Sequence, residues 1–170
     1  MSNFIVNPYI VKAAPVEATW ESDAANNAES YIQPNNGKGN YFATGTTSHD
    51  TLNGNPITQI TAYFTNGGNS QTISCFIQDA SANTLFDTAT LATTASNVEL
   101  TFTGEATLST DAFCIHFRGQ TALINALWRV GTSCSGNCPP QYTNGYTSSP
   151  TFGNWSSTSE YGTMTITYTS

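Results

Sequence analysis

The sequence predicts an all-β protein, a two-sheet antiparallel β-sandwich of eight or nine strands. Three observations carry this. Apolar and polar residues alternate with period two over most of the chain, and no segment sustains a helical stripe. The alternating runs are rich in Thr, Ile, Val, Phe and Tyr, which suit a pleated, half-buried surface. Between them stand clusters of turn chemistry such as "TNGGNS", "QDASAN" and "SPTFGNW".

Taken in order, residues 1–16, interrupted by Pro8 and Pro15, are expected to form an N-terminal arm or a first edge strand, with "NFIVNPYIV" as its apolar part. Residues 17–170 are expected to be one sandwich domain. Its first stretch, 17–55, is loop-heavy and full of Asn and Gly, with "NYFATG" as a weak strand. A regular meander follows. "ITQITAYF" places Ile60, Ala62 and Phe64 on one face, "TISCFIQDA" places Ile73, Cys75 and Ile77, and "NVELTFTG" places Val98, Leu100 and Phe102. "TLFDTATLA" is a weaker strand between the last two. "AFCIHFRG" aligns Phe113, Ile115 and Phe117, "LINALWRVG" aligns Ile124, Ala126, Trp128 and Val130, and the terminal "GTMTITYTS" aligns Met164, Ile166 and Tyr168. Residues 133–160 read as a single long loop of Gly, Ser, Asn, Pro and Tyr. A structureless connection of that length is usually functional or disordered.

Composition narrows the function classes. The 170 residues are enough for one hydrophobic core. Charged residues are 9% of the chain, far below the usual quarter, yet hydrophobic residues are 38% and aromatics 12%, so the low charge marks a hydroxyl and amide surface on a folded chain. The net charge is -7 and the cations are Lys12, Lys38, Arg118 and Arg129. Nucleic acid and anionic membrane are therefore excluded as partners, since both need clustered Lys and Arg. No run is long and apolar enough for a transmembrane helix. The first twenty residues lack the basic leader and continuous apolar core of a signal peptide.

The strand order from Ile57 to Phe64, Ile73 to Asn83, Val98 to Phe102, Phe113 to Arg118 and Met164 to Tyr168, preceded by "TWESDAANNAESYIQP", resembles a jelly-roll pattern. It is similar to the galactose-binding-like sandwiches of phage and viral structural proteins, and the resemblance spans roughly residues 17–170. It implies a module used for attachment, capsid decoration, head fibres or tail appendages. An initiator Met beside an extracellular-looking composition fits a protein made in the cytosol that works on a virion surface, or otherwise in an extracellular setting.

The remaining motifs are weighed on their chemistry. Cys134 and Cys138 in "TSCSGNCPP" lack nearby histidines and a helix N-terminus, so a small disulfide staple is expected, with free thiols or a metal clip as alternatives. Cys75 and Cys114 fall on opposite alternation phases of their strands, and no bridge between them is expected. "SHD", Ser48 to Asp50, holds the residue types of a hydrolytic triad, but contiguous residues cannot adopt its geometry, and a solvated loop is expected. The eleven acids form no dense ligand loop, so calcium is unsupported. No catalytic residue, metal or cofactor is assigned.

Interaction residues are of two kinds. Phe4, Val6, Tyr9 and Val11 of the arm, together with Arg118 and Arg129, are the candidate contacts to other chains. His116, Arg118 and Arg129 are expected to share a sheet face, the alternative being surface ion pairs with neighbouring acids. Trp20, Tyr142, Tyr146 and Trp155 are the candidate glycan-stacking or recognition residues. The expectation is a non-enzymatic, homo-oligomeric virion structural protein that contacts a major capsid or other virion protein. A carbohydrate-binding module for host-surface glycans is the alternative. A secreted filament subunit exchanging its N-terminal strand is the third.

Overall fold

The computed structural model describes residues 14–32, 36–66, 68, 70–119, 126–136, 140–145 and 155–170, of which 30, 36, 140–145 and 155–159 as backbone. Among them are twelve strands and one short helix. These are β1 (Glu17–Glu21), β2 (Ala28–Ile32), β3 (Asn36–Phe42), α1 (Thr47–Leu52), β4 (Pro56–Asn66), β5 (Gln71–Gln78) and β6 (Asn83–Leu91). They continue with β7 (Val98–Thr107), β8 (Phe113–Gly119), β9 (Ala126–Gly131), β10 (Pro140–Gly145), β11 (Trp155–Gly162) and β12 (Met164–Thr169). All pairings are antiparallel. A four-stranded sheet, β1-β12-β4-β7, packs against an eight-stranded sheet, β2-β9-β11-β10-β3-β8-β5-β6, as an all-β sandwich.

The two sheets share hydrogen bonds at a corner. The body of β4 pairs with β7 and β12, but its last residues, Phe64, Thr65 and Asn66, pair with Trp128, Leu127 and Ala126 of β9. The final strand crosses in the same place. β11 pairs with β9 and β10 of the larger sheet, and after Thr163 the chain continues as β12 between β1 and β4 of the smaller one.

The core follows the period-two pattern. Across the small sheet one row in register is Trp20, Ile166, Ile60 and Phe102, all buried. The larger sheet contributes Ile73, Cys75, Phe113, Ile115, Phe117, Ala126, Trp128 and Val130. Phe117 sits at the centre, edge-on to Phe64 at 5.2 Å and to Trp128 at 5.0 Å. Burial of these side chains is the dominant stabilising term, about 1.5–3 kcal/mol for each large one.

Several expectations need correction. The chain has more strands than eight or nine, because residues 17–55 contain β1, β2 and β3, and because 133–160 is not one loop but carries the antiparallel hairpin of β10 and β11. Gly, Asn and Ser weaken the alternation signal in these strands without preventing pairing, since each is held by neighbours distant in sequence. Ser48 to Asp50 is not a solvated loop but part of α1, capped by Thr46, whose Oγ1 accepts the His49 N–H at 3.3 Å. Ser48 and His49 are buried. Val98, expected on the core face of β7, is 40% exposed at the strand's start. Ile124 lies outside the described residues.

Candidate functional site

The segment after β9 backs the loop that walls a pocket. Gly131 has no room for a Cβ, which would overlap the backbone of Ala25, and a Cβ on Gly136 would press on the Asp23 carboxylate. Loop 22–27 therefore lies flat against 131–136. It is tied there by the Ala25 N–H to Ser133 O (3.0 Å), the Thr132 N–H to Asn27 Oδ1 (3.0 Å) and a bridge between Ala24 and Cys134. At its start the Ser22 N–H donates to Met164 O at 3.0 Å. Between this loop and the outer face of the small sheet is a cavity of about 130 Å³ lined by Glu21, Ser22, Asn26, Tyr63, Met164 and Thr165, among others.

Its polar groups are held in place. Arg129 donates from Nε to Asn26 Oδ1 (2.9 Å), from Nη2 to Asn26 O (3.0 Å) and from Nη1 to Glu29 Oε1 (2.8 Å). Tyr63 donates its phenol O–H to Glu99 Oε2 at 2.6 Å from the adjacent strand position. That bond, with the nearby Glu99 charge, burial and the Glu21 charge, raises the Tyr63 pKa. The cavity's polar lining is of carboxylate, hydroxyl, carboxamide and phenol groups, from Glu21, Ser22, Thr163, Thr165, Asn26 and Tyr63.

A second feature lies at the other end of the small sheet. Among the described residues β1 pairs with β12 alone, so its other edge carries no ladder partner. Val16, the residue ahead of it, is 64% exposed. Beside it a cleft of about 520 Å³ is lined by Pro15, Pro56, Ile57, Ala106, Thr107 and Thr169, among others.

The sequence-predicted residues scatter. Trp20 is no surface stacker: it is 3% exposed, edge-on to Phe42 at 5.3 Å, because β1 pairs with β12 in the register that turns it inward. Tyr142 stands opposite Ser157 and Trp155 opposite Asn144, so both positions belong to the β10–β11 hairpin. Tyr146 lies outside the described residues, as do Phe4, Val6, Tyr9 and Val11. Cys134 is not among the free thiols, and its expected partner Cys138 lies outside the described residues. Cys75 and Cys114 are free and buried, and register places Cys75 opposite Phe117 and Cys114 opposite Gln78, on opposite faces of the sheet as expected. Burial pushes both thiols well above their ordinary pKa.

The arginines are not brought together. β8 and β9 stand four places apart in the strand order. Arg129 makes the ion pair with Glu29 described above, whereas Arg118 lies over the Phe76 ring at 5.3 Å. His116 stacks on the same ring at 5.1 Å and 9°, with Nε2 3.0 Å from Asn83 Oδ1. Gly37 leaves the space they occupy, since a Cβ there would lie 3.0 Å from Arg118 Nε. His49 is likewise structural: Nε2 is 3.0 Å from Asp111 O, Nδ1 is 3.2 Å from Asp50, and the ring packs on Phe113.

Among the described residues no group of three or more His, Cys, Asp or Glu is placed to hold a metal ion. Missed by the sequence reading were Tyr63, Glu99, Glu21 and Asn26, whose proximity depends on pairings between strands far apart in the chain. No protein-family model, curated protein or solved structure matches this chain.

Proposed function

We propose that this chain is a non-enzymatic structural subunit of a virion exterior, in capsid decoration or an appendage, acting through homo-oligomeric surface contacts. The observation that supports this best is that, among the described residues, the edge of β1 away from β12 carries no partner, directly after an apolar N-terminal stretch in the sequence. An extended segment added to such an edge gains backbone hydrogen bonds, and its alternate side chains extend the two faces of the sheet. The arm residues Phe4, Val6, Tyr9 and Val11 of one subunit are suited to that role on another. A low-charge Thr, Ser and Asn surface also suits contacts that persist across changes of salt. The jelly-roll resemblance and the composition supply the virion setting.

Native mass spectrometry of the full chain and of a chain lacking residues 1–14 tests this. The expected result is a closed oligomer that becomes a folded monomer on truncation. A full-length monomer, or an oligomer indifferent to the deletion, overturns the arm-mediated reading.

A carbohydrate-binding module remains the second reading, favoured by the aromatic positions Tyr142 and Trp155 in one hairpin. Retention on a glycan column, lost in Trp155→Ala, is its distinguishing result.

A further inference from the structure

The cavity between loop 22–27 and the small sheet is built from groups that bond hydroxyls. Glu21 offers a carboxylate, Asn26 a carboxamide, and Ser22 and Thr165 hydroxyls, around a short apolar wall of Ala24 and Met164. Such a mixture is too polar for a lipid chain. It is also wrong for a phosphate or sulfate, because Arg129 is engaged by Asn26 and Glu29 while Glu21 and Glu99 flank Tyr63. A neutral polyol is the ligand chemistry left, since each of its hydroxyls both donates and accepts.

The site is ordered before any ligand arrives. Arg129 fixes Asn26 through its Oδ1, while the Asn26 amide nitrogen makes only a long 3.5 Å contact with Asn97 Oδ1 and keeps its donors for another partner. Glu99 fixes the phenol of Tyr63, whose half-buried ring lines the cavity and supplies apolar surface there. Pre-fixed groups lose little entropy on binding. A volume of about 130 Å³ is that of about four waters, the size of one edge of a sugar ring. Beyond the cavity the outer face of the sheet continues as a row in register, Glu21, Thr165, Thr61 and Thr101, beside a second row of Thr19, Thr167, Gln59 and Thr103. These rows alternate with the core row; Thr61 is buried and accepts from Gln59 Nε2 at 3.2 Å, while the exposed Thr19, Thr101 and Thr103 and the half-buried Thr165 and Thr167 leave a polar surface along which the rest of a glycan can lie.

We propose that this pocket binds one neutral hexose or N-acetylhexosamine unit of a glycan, with Glu21 and Asn26 bonding its hydroxyl edge and Tyr63 supporting its ring. None of these is among the aromatic positions expected from the sequence.

The test is an amide NMR titration of the full chain with methyl α-D-galactopyranoside, methyl α-D-glucopyranoside, methyl α-D-mannopyranoside and N-acetylglucosamine, with N-acetylneuraminic acid as the anionic probe. Saturable shifts from at least one neutral probe are expected, confined to residues 21–27, Tyr63 and 163–165, with a Kd on the order of millimolar. Asn26→Ala and Glu21→Gln should each weaken that binding about tenfold, with the circular dichroism spectrum unchanged. Glu21 is exposed at a strand end, so Glu21→Gln keeps the test intact if Asn26→Ala perturbs the loop. No shift from any neutral probe overturns the assignment, as do shifts centred on the β10–β11 hairpin, binding of the acid alone, or undiminished binding in both variants. Arm-mediated assembly is read by mass without sugar, so either result stands apart from it.

Discussion

The side chain of Asn40 bonds both backbone groups of Gly162, donating from Nδ2 to Gly162 O at 2.9 Å and accepting the Gly162 N–H on Oδ1 at 3.0 Å. It imitates a strand neighbour at the point where β11 leaves the large sheet and β12 joins the small one. Trp128 donates from Nε1 to Thr163 O at 3.1 Å, and the Thr163 hydroxyl donates to Arg129 O at 2.6 Å. Without such partners the crossing would bury unpaired amides, which is costly.

Asn40→Ala is therefore expected to cost about 2–4 kcal/mol, because two buried backbone groups lose their partner at once. Gly162→Ala is expected to cost about 3 kcal/mol or more, since its Cβ would overlap the Trp128 ring and Asn40 Oδ1. Urea midpoints measure both. A loss below 1 kcal/mol in each, by the order of a single exposed bond, would show that the crossing is held elsewhere.

Trp20→Ala should destabilise the fold by about 3–5 kcal/mol, whatever happens to glycan binding. Trp20→Phe should be far milder, because among the described residues the buried Trp20 Nε1 has no hydrogen-bond partner to lose. Thermal melts of the two variants give the comparison, and equal losses would mean that the indole nitrogen carries weight.

Stability should fall on mild acidification through His116. Burial first, and the Arg118 charge second, hold its pKa well below the usual imidazole value. The unfolded chain takes up that proton near about pH 6.5. Between that value and the lower folded pKa the unfolded state binds more protons, so stability is full above about pH 6.5 and is lost as pH falls below it. His116→Gln should flatten the urea midpoint between about pH 7 and 5. Asp79 acts in a lower window. Burial pushes its carboxyl up, but the Ser81 hydroxyl and the Ser81 and Ala82 N–H groups outweigh this and lower it, so its contribution holds above about pH 4 and disappears in stronger acid. An unchanged slope in His116→Gln would refute the assignment.

Thiol counting tests the proposed Cys134–Cys138 staple. Cys75 and Cys114 are buried and should resist a thiol reagent in the native protein. Unfolding without reductant should then expose two thiols if the staple is closed and four if it is open, out of four cysteines. Closing so short a loop contributes at most about 2 kcal/mol, so Cys134→Ser should alter the fit of 131–136 on loop 22–27 more than global stability.

The sequence by itself determined the fold class and much of the core. Alternation in "ITQITAYF", "AFCIHFRG" and "TMTITYTS" put Ile60, Phe113, Ile115, Phe117 and Ile166 inside, and the opposite phases of Cys75 and Cys114 followed from the same local geometry, since successive strand residues face opposite ways. Tertiary structure alone decided the rest. Trp20 is inward because of its register with Ile166, 140–145 and 155–162 are strands because each pairs with the other and with β3 or β9, and Tyr63, Glu99 and Glu21 meet because β1, β12, β4 and β7 are neighbours, with Asn26 of loop 22–27 held beside them by Arg129 of β9. Period two specifies which way a side chain points. It carries no information about which strand lies beside it, and a pocket between strands is made of that information.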